Sequence, residues 1–172
     1  NEALELHEEA LNLTRAKLGP EHPTTLTLMN NLAYAYARAT RMGDALALFN
    51  ETLKLTRAKL GPKHPDTLTS MNNLASAYFE AGRRGEALPL FEEALSLRKA
   101  ILGADHPETL STMTSLSIAY ANAGRLDEAL LLDKETLRLR KEKLGGKHAD
   151  TLQSMNNLAV AYEMLGRLDD AI

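Results

Sequence analysis

The stretch Leu60-Gly61-Pro62-Lys63-His64-Pro65 decides how this chain is read, because it returns along the sequence. Leu18-Gly19-Pro20-Glu21-His22-Pro23 precedes it, and Leu102-Gly103-Ala104-Asp105-His106-Pro107 and Leu144-Gly145-Gly146-Lys147-His148-Ala149 follow; the starts at 18, 60, 102 and 144 give a fixed period of 42 residues. Working outward, Thr67-Leu68 recurs as Thr25-Leu26, Thr109-Leu110 and Thr151-Leu152. Tyr78 recurs as Tyr36, Tyr120 and Tyr162, and Ala87 as Ala45, Ala129 and Ala171. A period of this length marks a stacked-repeat architecture, in which each unit buries its apolar side only against its neighbours.

Within one period, Leu68, Met71, Leu74, Ala75 and Tyr78 step by three or four and so line one side of a helix, helix A. Ala81-Gly82-Arg83-Arg84-Gly85 ends it, since Gly accepts the left-handed conformation that closes a helix. A second series at Ala87, Leu88, Phe91, Ala94, Leu95, Leu97, Ile101 and Leu102 gives helix B, about four turns long and stopping at Gly103. Pro107 suits the first turn of the next helix A, where its missing N–H costs nothing; Pro89 is expected in the first turn of helix B for the same reason. Ala33, Ala75 and Ala159 on helix A and Ala45, Ala87 and Ala129 on helix B are expected at close crossings, with Tyr36 and Phe91 in the wider gaps. The predicted fold is all-α, a right-handed α-solenoid of stacked antiparallel helix pairs. It forms one array over residues 1–172: a helix B in 1–18, full repeats at 19–60, 61–102 and 103–144, and a partial repeat at 145–172.

Composition narrows the function classes. A net charge of -3, with no basic stripe, gives nucleic acid nothing to hold. No apolar run approaches the roughly 20 residues of a membrane span, and the amphipathic first 20 residues do not read as a secretory signal. Absence of Cys removes thiol chemistry and fits a cytoplasmic setting. There is no nucleophile elbow, phosphate-binding Gly loop or His-Glu-x-x-His, so neither catalysis nor a cofactor is expected.

Asn73-Leu74-Ala75-x-Ala77-Tyr78, then Gly82-Arg83, then Glu86-Ala87, resembles the tetratricopeptide repeat. The longer period, with Leu-Gly-x-x-His-Pro before helix A and Asn-Asn-Leu-Ala within it, is similar to the repeats of kinesin light chain and of many bacterial tetratricopeptide proteins. The resemblance spans the whole chain. It implies a concave groove, lined mainly by helix A, that takes an extended or helical peptide.

Helical geometry places positions 69, 73, 76 and 80 on the side of helix A opposite Leu68, Met71 and Leu74. The groove residues are therefore Asn31, Tyr34 and Arg38; Asn73, Ser76 and Glu80; Ser115, Ile118 and Asn122; and Asn157, Val160 and Glu163 or Met164. Thr27, Thr69, Ser111 and Gln153 extend the same stripe. The surface so drawn is polar and nearly neutral. Asn is a weak helix former, so Asn30-Asn31, Asn72-Asn73 and Asn156-Asn157 in mid-helix need a compensating gain. Two readings fit: Asn31, Asn73 and Asn157 hold a ligand backbone, or Asn30, Asn72 and Asn156 form an interior hydrogen-bond ladder. Thr114-Ser115 in the third repeat would interrupt a ladder, whereas a binding face tolerates variation.

The basic clamp with which some tetratricopeptide domains hold a C-terminal carboxylate has no counterpart at these positions. Arg38, with Arg15, Arg57, Lys99 and Lys141 at the ends of B helices, would attract an acidic peptide or would simply favour the negative helix C-termini. His22, His64, His106 and His148 fall in separate repeats, too far apart to share a metal, and are read as caps or braces of the loop. His7 is placed on the exposed side of its helix, and Glu8, Glu9, Glu51, Glu92 and Glu93 on a solvated outer face.

Asn1-Glu2-Ala3-Leu4 matches Asp169-Asp170-Ala171-Ile172, so the chain opens with helix B and closes with helix A. A fragment of a longer array is expected, with head-to-tail self-association through its unpaired end helices. The functions weighed are a peptide-binding scaffold or adaptor, an architectural or regulatory sensor segment of a larger signalling protein, and an engineered array without a partner.

Overall fold

The computed structural model describes residues 2–167; the expected Ala171 and its neighbours from Leu168 to Ile172 lie outside the described residues. Among the described residues eight helices follow in order: α1 (Glu2–Leu18), α2 (Pro23–Arg38), α3 (Met42–Leu60), α4 (Pro65–Glu80), α5 (Arg84–Leu102), α6 (Pro107–Asn122), α7 (Leu126–Leu144) and α8 (Ala149–Met164). Odd-numbered helices are B helices and even-numbered ones A helices. The chain divides inside α5 into two compact units, Asn1–Leu90 and Phe91–Ile172. In the first, α1 packs on α2, α2 on α3 and α3 on α4; in the second, α6 packs on α7 and α7 on α8.

Small residues mark the crossings as the spacing predicts. Ala33, Ala45, Ala75 and Ala87 are wholly buried and Ala129 nearly so, while Ala159 is half-buried. Met29, Phe49 and Met71 complete the first unit's interior, and Phe91 and Met113 that of the second. Burying each such large side chain contributes about 1.5 to 3 kcal/mol, which is why two short helices hold only when stacked on neighbours.

Each A helix closes in the same way. In α4 the Gly82 N–H donates to Phe79 O (3.0 Å) and the Arg83 N–H to Tyr78 O (2.8 Å), the paired bonds of a Schellman turn. Such a turn requires a left-handed residue, supplied by Gly82 (φ 73°), Gly124 (φ 77°) and Gly166 (φ 69°), but by Thr40 (φ 60°) in the first repeat. A β-branched residue is strained there. Each A helix also opens alike. The Nδ1 atoms of His22, His64, His106 and His148 accept the backbone N–H two residues on, at 3.2 to 3.3 Å. The His column is thus a set of N-caps, and Pro23, Pro65 and Pro107 follow at the first helical position.

Two sequence expectations are corrected. Pro89 is not in the first turn: α5 starts at Arg84, with the Ala87 N–H donating to Arg83 O (3.2 Å), so Pro89 falls in the second turn. It deprives only the Gly85 carbonyl of a helical donor, and both residues are solvent-exposed, so water can replace it. His7 is not on an exposed face. It is half-buried, because one and two periods on it becomes the core residues Phe49 and Phe91.

The same column ends at Asp133, 5 % exposed. Ser117, which holds the repeat position of Ala33 and Ala75, lies near it and donates its hydroxyl to Ala129 O (3.2 Å), so polar groups replace apolar ones at both positions. Burial pushes the Asp133 carboxyl above its ordinary range, and the Ser117 hydroxyl only partly offsets this. A carboxyl whose pKa is raised by folding stabilises the fold at pH below its unfolded value, and that contribution is lost as pH rises through the folded one.

Two outcomes follow. Thr40→Gly should raise stability by about 0.5 to 1 kcal/mol, the relief of left-handed strain less the added chain entropy, read by denaturant titration. Asp133→Asn should raise stability at neutral pH by on the order of 1 kcal/mol and flatten the decline of the melting temperature between acidic and neutral pH. An unchanged pH profile would remove Asp133 as its source.

Candidate functional site

The outward stripe of the A helices lies where helical geometry predicts. In the first unit α2 presents exposed Asn31, Tyr34 and Arg38, and α4 presents half-buried Asn73 and Ser76 with exposed Glu80. Burial and the facing Glu80 carboxylate raise the Tyr34 pKa, so these two groups of neighbouring A helices face one another. The Tyr34 ring also meets Phe49 edge-on, centroids 5.0 Å apart, which fixes its orientation. Arg38 stands apart from them, bordering a small hollow against Ala3, Leu4 and His7 of α1. In the second unit α6 carries half-buried Ser115 with exposed Ile118 and Asn122, and α8 carries Asn157, Val160 and Met164. Asn122 Nδ2 donates back to Ile118 O (2.9 Å), and Asn157 Oδ1 accepts from Gln153 Nε2 (2.9 Å).

The face is less polar than its sequence suggests. Tyr34, Ile118 and Val160 occupy one repeat position and are 46 %, 44 % and 44 % exposed, so apolar patches alternate with amides. The first Asn of each pair makes no ladder: Oδ1 of Asn30 and of Asn72 is buried without a donor, and Asn156 is exposed. Thr114, in their place on α6, returns its hydroxyl to Leu110 O (3.0 Å). Among the described residues no group of three or more His, Asp or Glu could hold a metal ion, and no helix is long and apolar enough to cross a membrane.

The tetratricopeptide repeat family model matches residues 1–58, 27–100, 78–142 and 123–172. The chain belongs to the tetratricopeptide repeat family. A Podosopora anserina kinesin light chain-type protein with nearly identical TPR-like repeats is 30% identical, with a TM-score of 0.87 over 99% of this chain and 81% of that one. A point-substituted form of the same protein superposes with a TM-score of 0.89, also at 30% identity, covering 99% and 80%. BtubC (BKLC) from P. vanneervenii is 24% identical and superposes with a TM-score of 0.86, covering 99% and 68%, a likeness of fold alone. No curated protein sequence matches the chain. It is a tetratricopeptide array of the 42-residue, kinesin light chain-like kind, an α-solenoid of helix pairs.

What the sequence reading missed in this tetratricopeptide array lies on the B helices. The Arg that follows each Schellman turn lays its guanidinium over the Tyr that the turn embraces: Arg41 on Tyr36 (4.3 Å), Arg83 on Tyr78 (4.6 Å) and Arg125 on Tyr120 (4.1 Å). The Tyr hydroxyl then reaches the preceding B helix. Tyr36 donates to Glu8 (2.7 Å) and Tyr120 to Glu92 (2.8 Å), and Arg41 and Arg125 join the same carboxylates. Glu8 and Glu92 are therefore ties between helices and not a plain solvated face, as is Glu51, which pairs with Arg15 (3.1 Å). Lys99 likewise binds Glu135 (3.1 Å), so Arg15 and Lys99 are committed within the fold and do not line a groove. A 28-residue spacing of Glu and Tyr was the available signal.

Burial, followed by the Glu92 hydrogen bond and charge, pushes the Tyr120 pKa up to about 12. Because a carboxylate disfavours a second negative charge beside it, Glu92→Gln should lower the Tyr120 titration midpoint toward the ordinary phenol value, read by phenolate absorbance. The same variant should cost about 1 kcal/mol in thermal unfolding.

Proposed function

We propose that this tetratricopeptide array is a protein- or peptide-binding scaffold whose A-helix faces hold an extended segment of a partner. Tetratricopeptide arrays commonly serve as protein-interaction scaffolds. The observation that carries the finer reading is the combination on α2 and α4: side chains of Asn31 and Asn73 with no hydrogen bond to the rest of the described residues, beside exposed Tyr34. A primary amide offers both donor and acceptor, so it can pair with any peptide backbone. Tyr34 offers apolar area that is already oriented, which lowers the entropy cost of binding. On α8, Asn157 and Val160 repeat the pairing in part, since Asn157 Oδ1 already accepts from Gln153 Nε2 (2.9 Å). Glu80 near Tyr34 favours a neutral or basic segment over an acidic one on the first unit's face.

The test is a displayed library of extended peptides selected on the protein, with the selected peptides remeasured on an Asn31→Ala, Asn73→Ala variant. Affinity should fall on the order of tenfold or more for two lost hydrogen bonds, with little change in melting temperature. Peptides that bind the variant as well as the parent would refute the Asn-lined face.

A further inference from the structure

At one interior position the repeats change from a short hydroxyl to a buried cation. Thr56, Arg98 and Arg140 are equivalent, one period apart. Arg98 is 4 % exposed; its Nη1 donates to the Glu108 carbonyl in the first turn of α6 (3.0 Å) and to Thr112 Oγ1 (2.6 Å), with Nη2 3.5 Å from the Glu108 carboxylate. Arg140 repeats this on α8, donating to Asp150 O (3.0 Å) and Ser154 Oγ (2.7 Å). In both repeats the hydroxyl itself donates to the same carbonyl, Thr112 to Glu108 O and Ser154 to Asp150 O.

The first unit keeps the receptor and lacks the arginine. Ser70, 2 % exposed, donates to Asp66 O (2.9 Å), the equivalent hydroxyl and carbonyl, and Asp66 holds the repeat position of Glu108. Thr56 turns its hydroxyl to its own helix at Leu53 O (3.1 Å). The space is left open. A pocket of about 560 Å³ joins Thr56, Asp66 and Ser70 to the A-helix face at Asn31, Tyr34 and Asn73. Its counterpart in the second unit, where Arg140 enters the lining, measures about 230 Å³ and does not reach the face. Asn30, whose buried Oδ1 has no donor, is also among the residues that line the larger pocket. Lys59 at its rim is occupied with the Glu21 carbonyl (2.6 Å), so it stays drawn away from the centre.

We propose that this pocket is a receptor for an arginine side chain of the bound partner, which supplies from outside the guanidinium that Arg98 and Arg140 supply from within. A planar fork of donors matches the Asp66 carbonyl and the Ser70 hydroxyl, the pair that Arg98 and Arg140 bridge at the equivalent positions, and Tyr34 in the pocket lining offers a ring to stack on. A lysine ammonium, a compact point charge, cannot bridge these acceptors together. This rests on the peptide-binding reading of the same face and names the residue the partner must carry.

The test titrates N-acetyl-arginine amide, and N-acetyl-lysine amide for comparison, while following amide resonances. The arginine derivative should shift Asn30, Asp66 and Ser70 saturably and bind on the order of tenfold more tightly than the lysine derivative. Thr56→Arg, which installs the side chain that two other repeats tolerate, should abolish the response; Thr56→Val should preserve it. Equal binding of both derivatives, or an undiminished response in a folded Thr56→Arg protein, overturns the proposal. Peptides that need Asn31 and Asn73, carry no fixed arginine and ignore Thr56→Arg would overturn the arginine pocket and leave the scaffold reading standing. Saturable arginine binding with peptides indifferent to Asn31 and Asn73 would support the pocket and remove the Asn-lined face.

Discussion

The stacking of this array depends on what happens to one arginine in each repeat. The backbone N–H of Arg83 closes α4 through Tyr78 O, and its carbonyl opens α5 by accepting from Ala87. Its side chain bonds Glu86 three residues on (2.7 Å) while lying over the Tyr78 ring. One residue therefore ends a helix, starts the next, and covers the Tyr78 ring at the turn between them. A cation over an aromatic face contributes about 0.5 to 1 kcal/mol where partly solvated, modest for any single turn. Repetition gives it weight, because the same contact recurs at Arg41, Arg83 and Arg125.

While that turn recurs, the contacts around it vary from repeat to repeat. The partner that the Tyr meets on the preceding B helix is a carboxylate at Glu8 and Glu92, while at Tyr78 it is Asn50 Nδ2 (3.1 Å) and at Tyr162 it is Lys134 over the ring (5.3 Å). Core positions vary on the same terms, from Phe49 and Phe91 to Asp133, and from Thr56 to Arg98 and Arg140. The backbone is a shared frame, and the individuality of each repeat is written in side chains at a few equivalent positions. Function, on the reading proposed above, follows those departures.

This division also explains what could be read from sequence. The period, the helix ends, the His caps and the alanine crossings were legible because they are local: each is set by residues within a turn or two of one another. The outward stripe of Asn31, Tyr34, Asn73 and Glu80 was legible for the same reason, since helical geometry alone separates it from Leu68 and Leu74. Contacts across 28 to 36 residues were not, so Glu8 and Glu51 looked like surface charges and Arg15 and Lys99 like groove cations. Nor could the spacing tell that Arg98 would be buried, because a guanidinium enters a core only when a carbonyl and a hydroxyl from another helix are waiting for it. Pro89 was misplaced because the start of α5 at Arg84 is set by the turn before it and not by apolar periodicity.

The alternation of Glu8, Asn50, Glu92 and Lys134 has a meaning for how such a chain finds its shape. Segments this similar are prone to pair out of register while folding, an A helix settling on the B helix of a different repeat. Arg125 set against Asn50 would find no carboxylate, and Tyr162 set against Glu92 would exchange a cation for an anion. A column that never repeats its charge twice in succession tells each joint from the next, so that a chain whose parts look interchangeable resists slipping by a single repeat.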